Sequence, residues 1–173
     1  AFLMHFVNVI GLDEAVDILK KNAEFKRFSV VITFDDGYDD NYRLAFPILK
    51  DFNIPATFFI TTGLVQSTDI PWTEKIEDAL AVTKTSNIIF YGHQYTLNTL
   101  TDKRAAFKII SSKLRKISNT ERIQTMSNIL EQLQYTPSGR LKMLSWDQIK
   151  EMQRTNISIG AHTMTHPVLS QMP

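Results

Sequence analysis

The chain has 173 residues and a mass of 19.9 kDa, with 43% hydrophobic and 21% charged residues; this is an ordinary globular composition, too short for a complete eight-unit α/β barrel of about 250 residues. Nineteen Lys+Arg against eighteen Asp+Glu leave a formal net charge of +1, so no strong field points to nucleic acid or an anionic membrane. The absence of Cys excludes a disulfide framework, a thiolate zinc site and a cysteine nucleophile, and no run approaches the roughly 18 apolar residues of a transmembrane segment.

The start, Ala1-Phe2-Leu3-Met4-His5, has no basic region and no initiator Met; it reads as part of a longer chain, without a signal peptide. Leu12, Ala15, Val16 and Leu19 fall at helical spacing, with Asp13 and Glu14 suited to the first turn. Ser29-Val30-Val31-Ile32-Thr33-Phe34 reads as a strand buried on both faces, as in a parallel sheet. It stops at Asp35-Asp36-Gly37. A helical stretch follows over about 40–52, where Pro47 marks a kink or a second start. Ala56-Thr57-Phe58-Phe59-Ile60 is the next buried strand, closed by Thr61-Thr62-Gly63. This alternation predicts α/β architecture with parallel strands.

Residues 69–140 change character and read as a helical and hairpin insertion. Ile88–Tyr91 and Gln94–Leu97 flank Gly92-His93 as a hairpin. Phe107, Ile110, Leu114 and Ile117 form one apolar helical stripe; Ile123, Met126, Leu130 and Leu133 form another. Thr101 and either Asn119 or Thr120 are the expected N-caps. Thr136-Pro137-Ser138-Gly139 breaks the pattern. Ser145-Trp146-Asp147-Gln148 has the capping-box spacing, with Trp146, Ile149 and Met152 as the buried face. Ile157–Ala161 reads as a strand, followed at once by His162-Thr163-Met164-Thr165-His166-Pro167.

Two places carry residues suited to chemistry. Asp35 and Asp36 stand at the C-terminal end of a predicted strand, where α/β folds collect catalytic groups. The bland reading is an ordinary Asp-Gly turn. His162 and His166 stand four apart after another strand, a spacing that can turn two imidazoles to one ion. Two His and one carboxylate make a three-ligand site with open positions, and the spare carboxylate next door can take a proton from water. His5 and His93 read as structural or solvated, and Trp72, Tyr91 and Tyr95 either pack or stack on sugar rings.

Thr33-Phe34-Asp35-Asp36-Gly37 and His162-Thr163-Met164-Thr165-His166-Pro167 resemble the first two motifs of the polysaccharide deacetylases, the NodB-homology group of carbohydrate esterases. The segments 45–50, 54–60, 144–149 and 157–160 are similar to the family's connecting stretches, so the match covers about 28–64 and 141–173. The resemblance implies a distorted (β/α) barrel, incomplete here, forming one partial domain over 1–173 with 69–140 inserted. It implies metal-dependent removal of acetyl groups from a sugar polymer. Asp35 would be the general base, and Asp36, His162 and His166 would hold a divalent metal, usually zinc. An acetylated polysaccharide would be the substrate, and family analogy suggests export to the cell envelope.

The sequence also departs from that pattern. The family's late His acid, and the Arg and Asp that tune the base, have no counterpart before Pro173. An incomplete barrel exposes a sheet edge and apolar surface, which predicts a homo-oligomer or a segment swap. Two other readings stand beside the enzyme: an inactive metal-binding domain of the same fold that binds glycan or a partner, and a structural α/β domain with chance motifs.

Overall fold

A computed structural model of the chain describes residues 6–172. Among them, the chain separates into two compact units, one of the residues up to Asp69 with Leu141–Thr165, the other of Ile70–Arg140 with the residues from His166 on.

In the first unit, β1 (Asn8–Val9) leads into α1 (Leu12–Lys20), which carries Asp13 and Glu14 in its first turn. Ala15 is its buried residue, whereas Leu19 is 62% exposed. The run at 29–34 is two short strands rather than one. β2 (Ser29–Val30) pairs in parallel with β1, and β3 (Thr33–Phe34) pairs in parallel with β4 (Ala56–Ile60). The run changes partners between Val30 and Thr33, so it cannot be buried on both faces throughout: Val30 is 39% exposed. β1 is only two residues long and lies in the apolar stretch Phe6-Val7-Asn8-Val9-Ile10 before α1.

The polar stretch after Gly37 forms one π-helical segment, Asn41–Ala45, and then α2 (Phe46–Asp51) with Pro47 in its first turn. Proline lacks the N–H that a first turn leaves unused, so it starts this helix. β4 is buried along nearly its whole length and is the centre of a three-stranded parallel sheet ordered β3–β4–β7, where β7 is Ile157–Ala161. The register pairs Thr57 with Thr33 and Ser158, and Ile60 with Ala161. α6 (Trp146–Met152) begins with both capping-box hydrogen bonds, Gln148 N to Ser145 Oγ and Ser145 N to Gln148 Oε1. Ile149 and Met152 face the core, but Trp146 lies 46% exposed at the cap. Phe46, Leu49, Phe58, Ile60, Leu144, Met152 and Ile157 close the core of this unit. Phe58 is fully buried and stacks on Phe34 at 4.5 Å between ring centroids; burying one such side chain contributes about 1.5–3 kcal/mol.

The second unit contains α3 (Trp72–Val82), β5 (Asn87–Phe90), β6 (His93–Thr96), α4 (Leu100–Leu114) and α5 (Asn119–Gln132). α3 was not anticipated. The hairpin turns at Tyr91-Gly92, both at positive φ, so the turn sits one residue before the predicted one and His93 opens β6. The N-caps are Thr99 and Ser118, not Thr101 and Asn119 or Thr120. On α5 the buried face is Arg122, Met126 and Ile129, while Ile123 is 61% exposed. Ile76, Leu80, Ile88, Ile110, Leu114, Ile129 and Leu133 form the core of this unit. Among the described residues, no helix is long and apolar enough to cross a membrane.

Candidate metal centre

The parallel sheet places its strand ends together. β3 ends at Phe34, one residue before Asp35, and β7 ends at Ala161, one residue before His162. β4 lies between them and aligns both ends. Asp35 is exposed and Asp36 is half-buried, so the two adjacent carboxylates meet different surroundings. Asp36 adopts φ +71°, in the left-handed region, and Gly37 follows at φ +85°. Two left-handed residues in succession turn the chain sharply and separate the two side chains. Gly37 is held on both sides: its N–H donates to the Asp35 carbonyl at 2.9 Å, and its carbonyl accepts from Leu144 N at 2.9 Å.

Asp36 Oδ2 accepts from the Tyr38 hydroxyl at 3.1 Å, and Asp36 Oδ1 lies 3.4 Å from His162 Nε2. One donor atom from each of Asp36, His162 and His166 lies within 4.8 Å of the others, all three residues being half-buried. Two donors bound at about 2.1 Å to one tetrahedral ion lie about 3.4 Å apart. The observed Asp36–His162 separation is that edge length. Two imidazoles and one carboxylate also suit a borderline divalent ion such as zinc and leave a position open. The donor set therefore fits a catalytic metal.

The structure brings Asp36, His162 and His166 together and leaves Asp35 beside them, exposed. The motif spacing alone had not separated the roles of the two carboxylates. His93 is exposed in β6, and His5 lies outside the described residues. Trp72 carries the Arg122 guanidinium over its ring at 5.1 Å, and Tyr95 packs against the core of the second unit. Tyr91 is 49% exposed, donates to Glu121 at 2.6 Å and lies under Lys113. Sequence reasoning missed Tyr38 and Thr61. Tyr38 had no signal beyond its place two residues after Asp36, and Thr61 looked like an ordinary strand end.

Residues 22–173 match the family model described as polysaccharide deacetylase. The chain belongs to the polysaccharide deacetylase family. It is 34% identical over 110 residues to a poly-β-1,6-N-acetyl-D-glucosamine N-deacetylase of Staphylococcus aureus strain MSSA476, covering 62% of this chain and 36% of that relative. The corresponding enzyme of strain MRSA252 is 52% identical over 46 residues, 27% of this chain and 16% of that relative. The chain thus spans about a third of the length of the first of these relatives. Among solved structures, the deacetylase PplD of Streptococcus pyogenes, determined with acetate, superimposes with a TM-score of 0.50 at 19% identity, over 96% of this chain and 42% of that one. At that identity the likeness concerns the fold, which is the mixed α/β fold of a deacetylase.

Proposed function

We propose that this chain carries the metal-binding part of a hydrolase centre that removes N-acetyl groups from an amino-sugar polymer. The observation that carries the reading is the convergence of Asp36, His162 and His166 at adjacent strand ends with Asp35 exposed beside them. Membership of the deacetylase family supplies the reaction class, and relatives named as poly-β-1,6-N-acetyl-D-glucosamine deacetylases favour a β-linked N-acetylglucosamine polymer. Asp36, His162 and His166 are the residues that would hold the ion, with zinc favoured by the two imidazoles. Such an ion, when bound, polarises a carbonyl and makes water acidic near neutral pH.

The protein's own part follows from burial and hydrogen bonding. Asp36 is committed to Tyr38 and His162, which fixes its carboxylate in one orientation. Asp35 is open to solvent and to substrate, and it is the carboxylate free to accept a proton from the attacking water. The leaving amine needs an acid, and no residue of this chain is assigned to that step. The barrel is proposed to be incomplete within this chain, with 69–140 as an insertion in it.

The test is acetate release from N-acetylglucosamine oligomers by the protein containing this chain, supplied with zinc. Asp35→Asn is expected to keep its zinc and to lose about 10²–10⁴-fold in rate, the usual contribution of a general base. An Asp35→Asn protein with the wild-type rate would contradict the role. A zinc-loaded protein that binds the oligomers but releases no acetate would favour the second reading, an inactive binding domain. The presence of all four residues, Asp35, Asp36, His162 and His166, favours the enzyme.

A further inference from the structure

After its last paired residue, β4 is followed by Thr61 and the 3-10 turn Thr62–Leu64, which run alongside the segment that carries the histidines. His162 N donates to the Ile60 carbonyl at 2.7 Å, Thr62 N to the Thr163 carbonyl at 3.0 Å, and Gly63 N to the Met164 carbonyl at 2.9 Å. The Thr61 hydroxyl donates to the His162 carbonyl at 3.3 Å, and the Thr62 hydroxyl to the Thr163 carbonyl at 3.4 Å. On its other side, Thr61 N donates to the Asp36 carbonyl at 3.1 Å. One residue, itself fully buried, is therefore bonded to the backbone of both Asp36 and His162.

The backbone around this strap enters the left-handed region at three residues. Asp36 lies at φ +71°, Thr163 at φ +65° and His166 at φ +53°. A β-branched residue such as Thr163 is a genuine outlier in the left-handed region. Such conformations persist only where the surroundings over-determine them. Here the Thr163 carbonyl takes both the amide and the hydroxyl of Thr62. Gly63 is needed for a separate reason: a Cβ there would stand 2.4 Å from the Met164 carbonyl oxygen. Only a residue without a side chain lets the two backbones approach this closely.

We propose that Thr61-Thr62-Gly63 is a positioning strap that sets the spacing of the metal ligands before any metal arrives. Thr61 ties Asp36 to His162, and Gly63 seats the Thr163–Met164 segment that leads to His166. The inference rests on the metal reading above, applied to residues that themselves touch neither metal nor substrate. It makes two expectations that simple structural support would not. Loosening the strap should weaken metal binding without an equal loss of metal-free stability, and it should change the symmetry of the bound ion's surroundings.

The experiment compares the wild-type chain with Gly63→Ala, Thr61→Val and Thr61→Ser. Zinc affinity is measured by competition with a chromophoric chelator, the visible absorption of the cobalt form reports ligand geometry, and metal-free melting reports stability. Gly63→Ala is expected to bind zinc about 10–100-fold more weakly, the range seen when groups that orient metal ligands are removed, and to shift the cobalt band. Thr61→Val is expected between it and the wild type, and Thr61→Ser, which keeps the hydroxyl, should match the wild type. If Gly63→Ala does not fold, the Thr61→Val and Thr61→Ser pair decides. Thr61→Val with affinity within about twofold of wild type and an unshifted cobalt band overturns the strap, while wild-type zinc binding leaves the metal reading standing. A wild-type chain that takes no zinc overturns both.

Discussion

Gly37 joins the fold to the site, and replacing it with Ala perturbs both through two separable costs. Its φ of +85° is one that L side chains rarely adopt, and a Cβ there would stand 3.0 Å from Ile60 Cγ2 and 3.2 Å from Ile60 Cβ. The backbone cost of a left-handed non-glycine residue is about 1–2 kcal/mol. The crowding falls on a residue only 3% exposed, at the end of the central strand, and overpacking of that kind costs about 1–3 kcal/mol. Gly37→Ala should therefore destabilise the chain by about 2–5 kcal/mol. For a chain of this size, that corresponds to a melting temperature lower by roughly 4–20 °C. Gly92→Ala is the matched control, because Gly92 has φ +78° with nothing within 4 Å of its Cβ position. It should show the backbone cost alone, so the difference between the two variants isolates the contact with Ile60. Urea unfolding followed by circular dichroism measures both. Equal destabilisation of the two variants would refute the crowding argument, and a Gly37→Ala protein as stable as the wild type would refute both costs.

Two further outcomes follow from the same physics. Asp78, 9% exposed, accepts from Tyr135 Oη at 2.9 Å, Ser138 N at 3.0 Å and the Ser138 hydroxyl. Burial pushes its carboxyl up, but the Ser138 hydroxyl and amide, Tyr135 and the charge of Arg140 outweigh that and hold it below the ordinary value of 3.8. A lowered folded pKa stabilises above the unfolded value and loses that contribution as pH falls through the folded one. Asp78→Asn should thus cost about 1.5–3 kcal/mol near neutral pH, with the difference from wild type shrinking below pH 3.8; a difference that grows on acidification would refute this. From the π-helical segment through α2 to the residue that ends it, Leu44, Ile48 and Phe52 recur every four residues and are 63%, 57% and 44% exposed. The chain should self-associate at high concentration through this stripe, and Ile48→Glu should reduce that association in sedimentation velocity runs; a concentration-independent monomer in the wild type would count against it.

The sequence and the structure agree where local chemistry decides, and part where partners far along the chain decide. The capping box at Ser145–Gln148 and the strand at 56–60 could be read directly from residues close in sequence, and of the two roles open to Pro47, a kink or a helix start, the structure shows the start. The run 29–34 looked like one strand because its side chains are uniformly apolar; which residues pair with β1 and which with β4 is set by segments elsewhere. α3 escaped notice because Thr73, Glu74, Lys75 and Glu77 interrupt the apolar signal of Ile76, Ala79 and Leu80. At the site, the candidate residue types and their places after two strands were visible. The distinction between Asp35 and Asp36 was not, since both are carboxylates in one turn. It rests on a left-handed backbone at Asp36 and on a hydroxyl from Tyr38. The strap at Thr61–Gly63 was invisible because its partners lie far along the chain, 101 residues away for the Thr61–His162 bond.

The most direct measurement is the metal content of the purified chain after incubation with zinc and dialysis, determined by plasma mass spectrometry beside a His162→Ala, His166→Ala double variant. Near-stoichiometric zinc in the wild type, lost in the double variant while its circular dichroism stays unchanged, is the expected result. Zinc retained equally by both proteins, or absent from a folded wild type, would contradict a centre built from Asp36, His162 and His166.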